Sequence, residues 1–155
     1  MRTSTPKASA PNWLIVDAKG QTLGRLAAEL AHVLRGKHKV DWSPHQIHSD
    51  HIIVINAGQI VLQGNKASQK EYIRHSGYFG SLKRTSYASL FSKSPSKVLS
   101  RAVSGMLPRN KLRPIMMKHI HIYATEEHPH EAQKPMSFAS YNGANNKIPS
   151  ISPAK

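Results

Sequence analysis

The sequence predicts an α/β fold in which amphipathic helices cover a sheet of buried strands. Two segments, which begin near residues 22 and 95, have apolar residues at helical spacing, and short apolar runs of strand length precede, separate and follow them. Strands that alternate with amphipathic helices are typical of layered α/β domains rather than helical bundles or all-β barrels. The chain of 155 residues is close to the size of one domain, which we place at 13–135, between an N-terminal extension (1–12) and a C-terminal tail (136–155).

The first strand and the first helix follow from the spacing of apolar residues. Trp13–Val16 is a short apolar run that ends before a turn at Gly20, which predicts a buried strand. The next apolar residues recur at i, i+3, i+4 and i+7 and therefore share one helical face: Leu23, Leu26, Ala27, Leu30, Ala31 and Leu34. Thr22 is a suitable N-cap, and Gly36 is the residue type that commonly ends a helix.

The middle of the chain contains two further apolar runs and a polar, glycine-containing stretch. Ile52–Ile55 is apolar at every position, which is typical of a parallel strand covered on both faces. Ile60–Leu62 repeats this character, but Asn56–Gln59 is too short for a parallel crossover, so the two runs pair antiparallel or occupy separate positions. We predict that Tyr72–Lys83, which contains Gly77 and Gly80, is an exposed functional loop.

The second half of the domain is predicted to contain two helices and a last strand. Ser86 can cap a short helix over Tyr87–Phe91, and Ser94-Pro95 has the sequence that starts another helix. The apolar stripe of this helix ends near Pro108 and consists of Val98, Leu99, Ala102, Val103 and Met106. His119–Tyr123 alternates polar and apolar residues and predicts an edge strand, so the predicted sheet strands begin at 13, 52, 60 and 119.

Net charge is the strongest functional signal in the composition. The chain has 22 Lys and Arg against 8 acids, a formal net charge of +14 at pH 7, and no acid occurs between Glu71 and Glu126. This one-sided charge predicts a polyanionic partner, and we favour nucleic acid. The chain has no cysteine, which excludes disulfides and thiolate metal sites. No apolar run approaches the ~18 residues of a membrane span, so we expect a soluble protein without a membrane partner.

Basic residues are concentrated at the ends of elements and in turns. The densest cluster is Arg35-Gly36-Lys37-His38-Lys39, where the glycine can turn the chain and spread the cations along a phosphate backbone. Further basic residues follow along the chain: Lys66, Lys70, Lys83, Arg84, Lys93, Lys97, Arg109, Lys111 and Arg113. Tyr72, His75, Tyr78 and Phe79 lie among them and could offer their rings to unpaired bases. The alternative is that Tyr78 and Phe79 anchor the loop to the core.

The sequence contains no recognisable catalytic or cofactor motif. The 10 histidines include His45, His48 and His51 at a spacing of three, but neither this group nor the other histidines match a known closed set of metal ligands. No nucleophile elbow, dinucleotide-binding glycine motif or paired carboxylate is present. We therefore predict no catalytic residue, metal, cofactor or small-molecule substrate. A free-standing basic RNA-binding protein or chaperone, and a small RNA-modifying enzyme, remain as alternatives.

Five segments in order resemble one known family. They are Leu23–Ala27 with Leu34–Lys39, Ile53–Ala57, Gly64–Lys66, His75–Gly77 and Ala102–Pro108. Together they closely resemble the thirteenth protein of the large ribosomal subunit, over about Trp13–Pro135. The resemblance implies a three-layer α/β/α domain with a mainly parallel four-stranded sheet, basic loops and extended termini. It also implies binding to large-subunit rRNA beside neighbouring ribosomal proteins, support of early subunit assembly and translation, and no catalysis.

The resemblance also assigns rRNA contacts to individual positions. They are Arg35, Lys37, His38, Lys39, Lys66, His75, Gly77, Arg109 and Lys111. The charge pattern adds Lys83, Arg84 and Arg113. Asn110–Arg113 looks closer to mitochondrial members, whereas His128–Gln133 is similar to bacterial ones. We therefore expect a location on the large ribosomal subunit, in the mitochondrial matrix or the bacterial cytoplasm.

The tail, residues 136–155, matches no part of the family that we can place. It is rich in Ser, Asn and Pro and is expected to be mobile in the free protein. Two alternatives remain for the assembled particle: an extended segment ordered between rRNA and a neighbouring protein, with its backbone bonded outward rather than within a sheet, or a dispensable extension.

Overall fold

The computed structural model describes residues 9–138, and strands and helices alternate along this part of the chain. The strands are β1 (Trp13–Asp17), β2 (His51–Ile55), β3 (Glu71–His75), β4 (Leu82–Ser86), β5 (Ile120–Ile122) and β6 (Met136–Ser137). The helices are α1 (Leu23–Leu34), α2 (Lys66–Gln69), α3 (Tyr87–Lys93), α4 (Pro95–Met106) and α5 (Arg113–Met116). Single 3-10 turns cover Ala57–Gln59 and Met117–His119.

The central sheet has the strand order β5-β2-β1-β6, and all three neighbouring pairs are parallel. Leu14 in β1 lies beside Ile52 in β2, which lies beside Ile120 in β5. The predicted α/β class with a four-stranded parallel sheet is confirmed. The predicted edge strand at His119–Tyr123 is also confirmed, because β5 lies at one end of this order.

One predicted sheet strand is wrong. Ile60–Leu62 makes only an isolated bridge between Val61 and Thr22, because Asn56, with φ 57°, and the following 3-10 turn lead the chain away from the sheet. Ile60 is apolar because it packs into the core outside the sheet. The fourth strand is instead β6, which pairs with β1 at the start of the predicted tail. At Met136 and Ser137 the backbone is therefore paired within the sheet, and not bonded outward as predicted for the tail. The rest of the tail, residues 139–155, lies outside the described residues.

The hydrophobic core joins one face of the sheet to helices α1 and α4. Leu14 and Val16 of β1 and Ile52 and Val54 of β2 belong to the same buried cluster as residues of both helices. All six residues of the predicted α1 face are buried, which confirms it. In α4 the buried positions are Val98, Leu99 and Val103, whereas Met106 is 47% exposed. Both helices belong to this one cluster, so a further helical layer remains a prediction.

A row of stacked rings runs across the ends of the parallel strands. Trp13 stacks on His51 with ring centroids 4.3 Å apart, and His51 stacks on His119 at 4.5 Å. His121 lies 4.7 Å from the ring of His130, whose Nε2 is 2.9 Å from the hydroxyl of Tyr123. Within residues 9–138, no three His, Asp or Glu side chains are arranged to hold a metal ion.

This row of rings contributes stability that is lost in mild acid. Burial lowers the pKa of His51 and His121, and the neighbouring imidazoles His119 and His130 lower both pKa values further, although Asp50 raises that of His51. The unfolded chain therefore binds more protons than the folded one below about pH 6.5, the ordinary pKa of histidine. The stacked histidines should therefore lower the urea midpoint as the pH decreases from about 7.5 to 5.5. Burial raises the pKa of Glu29 to about 7, which contributes in the opposite direction over the same range, so the histidine contribution is measured as a difference between the wild type and a variant.

The variant His121→Phe separates this effect from the titration of other groups. It keeps a ring in the stack but removes one titrating site, so the urea midpoint of the variant should rise relative to that of the wild type as the pH decreases from about 7.5 to 5.5. Parallel pH profiles for the two proteins would contradict the role assigned to the stacked histidines.

Candidate nucleic-acid interface

The basic loop, residues 35–39, begins where α1 ends, and its backbone requires glycine at position 36. Gly36 has φ +74°, a left-handed conformation that L side chains rarely adopt. A Cβ atom added there would lie 2.5 Å from Cβ and 2.8 Å from the carbonyl oxygen of His48. The chain therefore turns sharply beneath His48, and the N–H of Lys39 donates to the carbonyl of Gly36 at 3.0 Å.

Two of the cations in the basic loop point inward to a buried carboxylate. Asp50 is fully buried, and its carboxylate lies 2.9 Å from Nε2 of His38 and 2.7 Å from Nζ of Lys39. It also accepts a hydrogen bond from the backbone N–H of Asn12 at 2.9 Å. The side chains of His38 and Lys39 are only 5% and 8% exposed. The exposed charge of the basic loop therefore comes from Lys37 and Arg35.

The hydrogen bonds around Asp50 keep it ionised in spite of its burial. Burial alone would raise the pKa of this carboxyl, but hydrogen bonds from His38 and Lys39, the N–H of Asn12 and the charge of Lys39 together hold the pKa below its usual value. The carboxylate thus joins the chain before β1, the basic loop and the start of β2. Burying an ion pair is costly, so this arrangement fixes the position of the loop more than it adds stability.

Arg35 is positioned by contacts that the sequence did not suggest. Nε1 of Trp42 donates to the carbonyl oxygen of Arg35 at 3.0 Å, and the guanidinium of Arg35 lies 5.5 Å from the centroid of the same indole ring. The hydroxyl of Ser49 donates to the carbonyl of Leu34 at 2.6 Å. The end of α1 is therefore held from two sides, and the guanidinium of Arg35 lies over an aromatic ring.

The second basic surface is a β-hairpin formed by β3 and β4, where we predicted a loop. The two strands pair antiparallel, with Arg74 directly opposite Lys83 and Ile73 opposite Arg84. Exposure was predicted correctly, since every residue of β4 is exposed. Like charges placed directly opposite each other destabilise a strand pair, unless an anion lies between them. The hairpin brings five basic or glycine positions of interest together: Arg74, His75, Gly77, Lys83 and Arg84.

The base of the hairpin is fixed to the helices through Tyr72. Tyr72 packs against the core, and its ring lies 5.3 Å from the guanidinium of Arg101 in α4 and 5.6 Å from Nζ of Lys70. Arg84 and Glu71 form only a long, exposed ion pair of 3.8 Å, which contributes little stability. The hairpin is therefore anchored at one end by Tyr72, and its far end extends into solvent.

The turn of the hairpin exposes both aromatic residues that were candidates for the core. Tyr78 is 80% exposed and Phe79 is 108% exposed, so neither ring anchors the segment, and that alternative is excluded. The predicted position Gly77, with φ 101°, and Gly80, with φ 74°, shape this turn. Nδ1 of His75 accepts a hydrogen bond from the N–H of Gly77 at 3.0 Å, which leaves its proton on Nε2.

The remaining predicted positions lie on separate elements. Lys66 is exposed at the start of α2. Just after this helix, the carbonyl of Lys70 accepts a hydrogen bond of 2.8 Å from the N–H of Tyr87, the residue that follows β4. Arg109 and Lys111 are exposed, and Arg113 begins α5, where its N–H donates to Oδ1 of Asn110 at 3.1 Å. No helix within residues 9–138 combines the length and hydropathy needed to cross a bilayer.

Comparison with known proteins identifies the family of this chain. The family model for ribosomal protein L13 matches residues 11–129, which include the basic loop and the hairpin. The large ribosomal subunit protein uL13 of Lawsonia intracellularis is 49% identical over 141 residues, which is 90% of this chain and 98% of the relative. The protein of the same name from Clostridioides difficile is 54% identical over 123 residues, 79% of this chain and 86% of the relative. With a match of this extent across the whole domain, the chain belongs to the ribosomal protein L13 family.

Proposed function

We propose that the protein is a structural constituent of the large ribosomal subunit that binds large-subunit rRNA and supports early subunit assembly and translation. Its relatives are named as proteins of this subunit, and its net charge of +14 requires an anionic partner. The observation that carries the proposal is the basic loop, in which a buried carboxylate holds His38 and Lys39 inward, while Lys37 is exposed and Arg35 is half-buried with its guanidinium over the ring of Trp42. The role is structural rather than catalytic.

The two basic surfaces suit contact with an RNA backbone more than reading of bases. Arg35 can bind a phosphate with two parallel hydrogen bonds, and Lys37 acts as a compact charge beside it. On the hairpin, Arg74 and Lys83 form a second pair on one face, and the exposed Arg84 projects from the opposite face. Phosphate contacts fix the position and orientation of a protein on RNA. The remaining predicted ligands extend this surface: Lys66, His75, Gly77, Arg109, Lys111 and Arg113. His38 and Lys39, also predicted as ligands, contact Asp50 and act by positioning the loop.

Neighbouring ribosomal proteins complete the proposed surroundings. The protein contributes a folded domain, predicted at residues 13–135, whose central sheet also includes Met136 and Ser137. The relatives named above come from bacteria, which supports the bacterial cytoplasm among the two compartments that the sequence leaves open. No small-molecule substrate, cofactor or membrane is part of this proposal.

Binding to rRNA should depend steeply on salt. Each phosphate that a cation neutralises releases counterions, so the logarithm of the binding constant should fall linearly with the logarithm of salt concentration, by about 0.7–0.9 per phosphate. Fluorescence anisotropy with the full chain and a labelled fragment of large-subunit rRNA measures this slope. A flat plot between low and moderate salt would show that phosphate contacts do not provide the affinity.

A sucrose gradient separates the proposal from its alternatives. The tagged protein, expressed in cells, should sediment with large subunits and remain with them after a high-salt wash, because an assembled component is held by many contacts at once. A free-standing RNA-binding protein or chaperone would be released into the light fractions by the same wash. An RNA-modifying enzyme would sediment with precursor particles only, so this profile distinguishes all three functions.

A further inference from the structure

The tip of the hairpin, residues 76–81, presents two aromatic rings that the fold does not use. Phe79 is 108% exposed and Tyr78 is 80% exposed, whereas the ring of Tyr72 at the base of the same hairpin packs against the core. Leaving two large rings in water forgoes the stabilisation that their burial would give. Their position at the far end of a projecting hairpin puts them where a partner can reach both.

The tip is held in shape by its own hydrogen bonds. The hydroxyl of Ser76 donates to that of Ser81 at 2.7 Å, and Ser81 in turn donates from its hydroxyl to the carbonyl of Tyr78 at 2.7 Å and from its N–H at 3.2 Å. Gly77 donates to the ring of His75. These bonds fix the backbone on both sides of the rings, so a ligand that stacks on them meets a preorganised surface.

Two cations that form no ion pair within residues 9–138 lie next to the last residue pair before the tip. Arg74 and Lys83 are directly opposite each other in the hairpin, and both are exposed. The acid of the hairpin, Glu71, lies at its other end and is 3.8 Å from Arg84. The hairpin therefore combines a flat apolar surface at its tip with positive charge beneath it. A nucleotide has the matching pair of features, a planar base and a phosphate.

We propose that the hairpin tip binds an unpaired nucleotide of RNA, with its base stacked on Phe79 or Tyr78 and its backbone phosphate against Arg74 and Lys83. Bases within an A-form helix are stacked on each other and their faces are inaccessible, so the ligand must be a base from a loop, bulge or single strand. Stacking on aromatic side chains tolerates any base, because every base has a π face. This inference rests on the proposed function and adds the kind of RNA element recognised.

The test uses the full chain and a single-stranded RNA of about ten nucleotides that contains 2-aminopurine, whose fluorescence changes when it stacks. Binding should change the fluorescence. Phe79→Leu keeps an apolar side chain but removes the ring, and together with Tyr78→Leu it should weaken binding to this probe about tenfold. The double variant Phe79→Trp with Tyr78→Leu returns one ring to the tip, and it should bind the probe more tightly than the variant with two leucines. Val40→Ala, at an aliphatic residue that is 106% exposed in another segment, is the control and should bind like the wild type.

A duplex RNA of the same sequence, and an rRNA fragment, complete the experiment. The leucine substitutions should leave duplex binding unchanged, because a duplex offers no base face. If the wild type binds neither RNA nor the rRNA fragment, both the inference and the proposed function are wrong. If rRNA binding is normal and salt-dependent, but the leucine variants bind the single-stranded probe as well as the wild type, the proposed function stands and the stacking site is overturned.

Discussion

Asp50→Ala should lower the free energy of unfolding by about 3–5 kcal/mol, the range observed when one partner of a buried ion pair is removed. The carboxylate of Asp50 is fully buried, and it is the counter-charge of the Lys39 ammonium, which is itself only 8% exposed. Its loss leaves that ammonium uncompensated and also removes the acceptor for the N–H of Asn12. Urea denaturation followed by circular dichroism measures the effect.

Two further variants separate charge from volume. Asp50→Asn keeps the size of the side chain and an acceptor for Asn12, but not the negative charge, so its loss of stability should be smaller than that of Asp50→Ala and still large. Glu127→Gln removes an exposed acid and should change stability by less than about 0.5 kcal/mol. If Asp50→Ala is as stable as Glu127→Gln, the buried carboxylate does not hold the loop.

The pH dependence of this contribution has a defined sign. Because the folded state holds the pKa of Asp50 below its usual value, the stabilisation is present above about pH 4, the pKa of an unfolded aspartate, and is lost as the pH falls through the lower folded value. The difference in stability between the wild type and Asp50→Asn should therefore shrink in acid below about pH 4. The stacked histidines act in a separate window, around pH 6.

The elements that could be predicted are those whose signal is local. Helix α1 repeats its apolar residues over three turns and ends at Leu34, two residues before Gly36, and both the repeat and the glycine are visible within one stretch of sequence. The parallel character of β2 follows from its apolar residues on both faces. The weak signals were those of β6, which has only two residues, and of β3 and β4. The hairpin strands do not alternate, because neither face is buried against a core.

The chemistry of the basic loop depends on contacts between distant residues. In the sequence, Arg35, Lys37, His38 and Lys39 look like one cluster of equivalent cations. The fold returns the chain at Asp50, next to the end of α1, and this acid engages two of the four. The signal available in the sequence for this contact was one acid, Asp50, directly before an apolar strand. Spacing could not assign its partners, because the turn at Gly36 decides which side chains face inward.

The double variant Arg35→Gln with Lys37→Gln should weaken binding to the rRNA fragment about 10- to 100-fold at ~0.1 M salt, the effect of two lost phosphate contacts. The slope of the log–log salt plot should become shallower by about 1.5. Glutamine removes the cation–π contact of Arg35 with Trp42, so the free energy of unfolding should fall by only about 0.5–1 kcal/mol. Lys39 is left in place because its ammonium belongs to the ion pair with Asp50, and its replacement would test folding instead.

The matched control is Lys19→Gln with Lys118→Gln, which removes the same two charges from exposed positions outside the proposed surfaces. Both double variants have the same net charge, so the general attraction of the protein to a polyanion is reduced by the same amount in the two. Specific contact by the basic loop predicts that only the Arg35 and Lys37 variant loses about 1.5 from the salt slope and is under-represented in large subunits on a sucrose gradient. Equal losses in the two variants would mean that net charge, and not the geometry set by Asp50 and Gly36, provides the affinity.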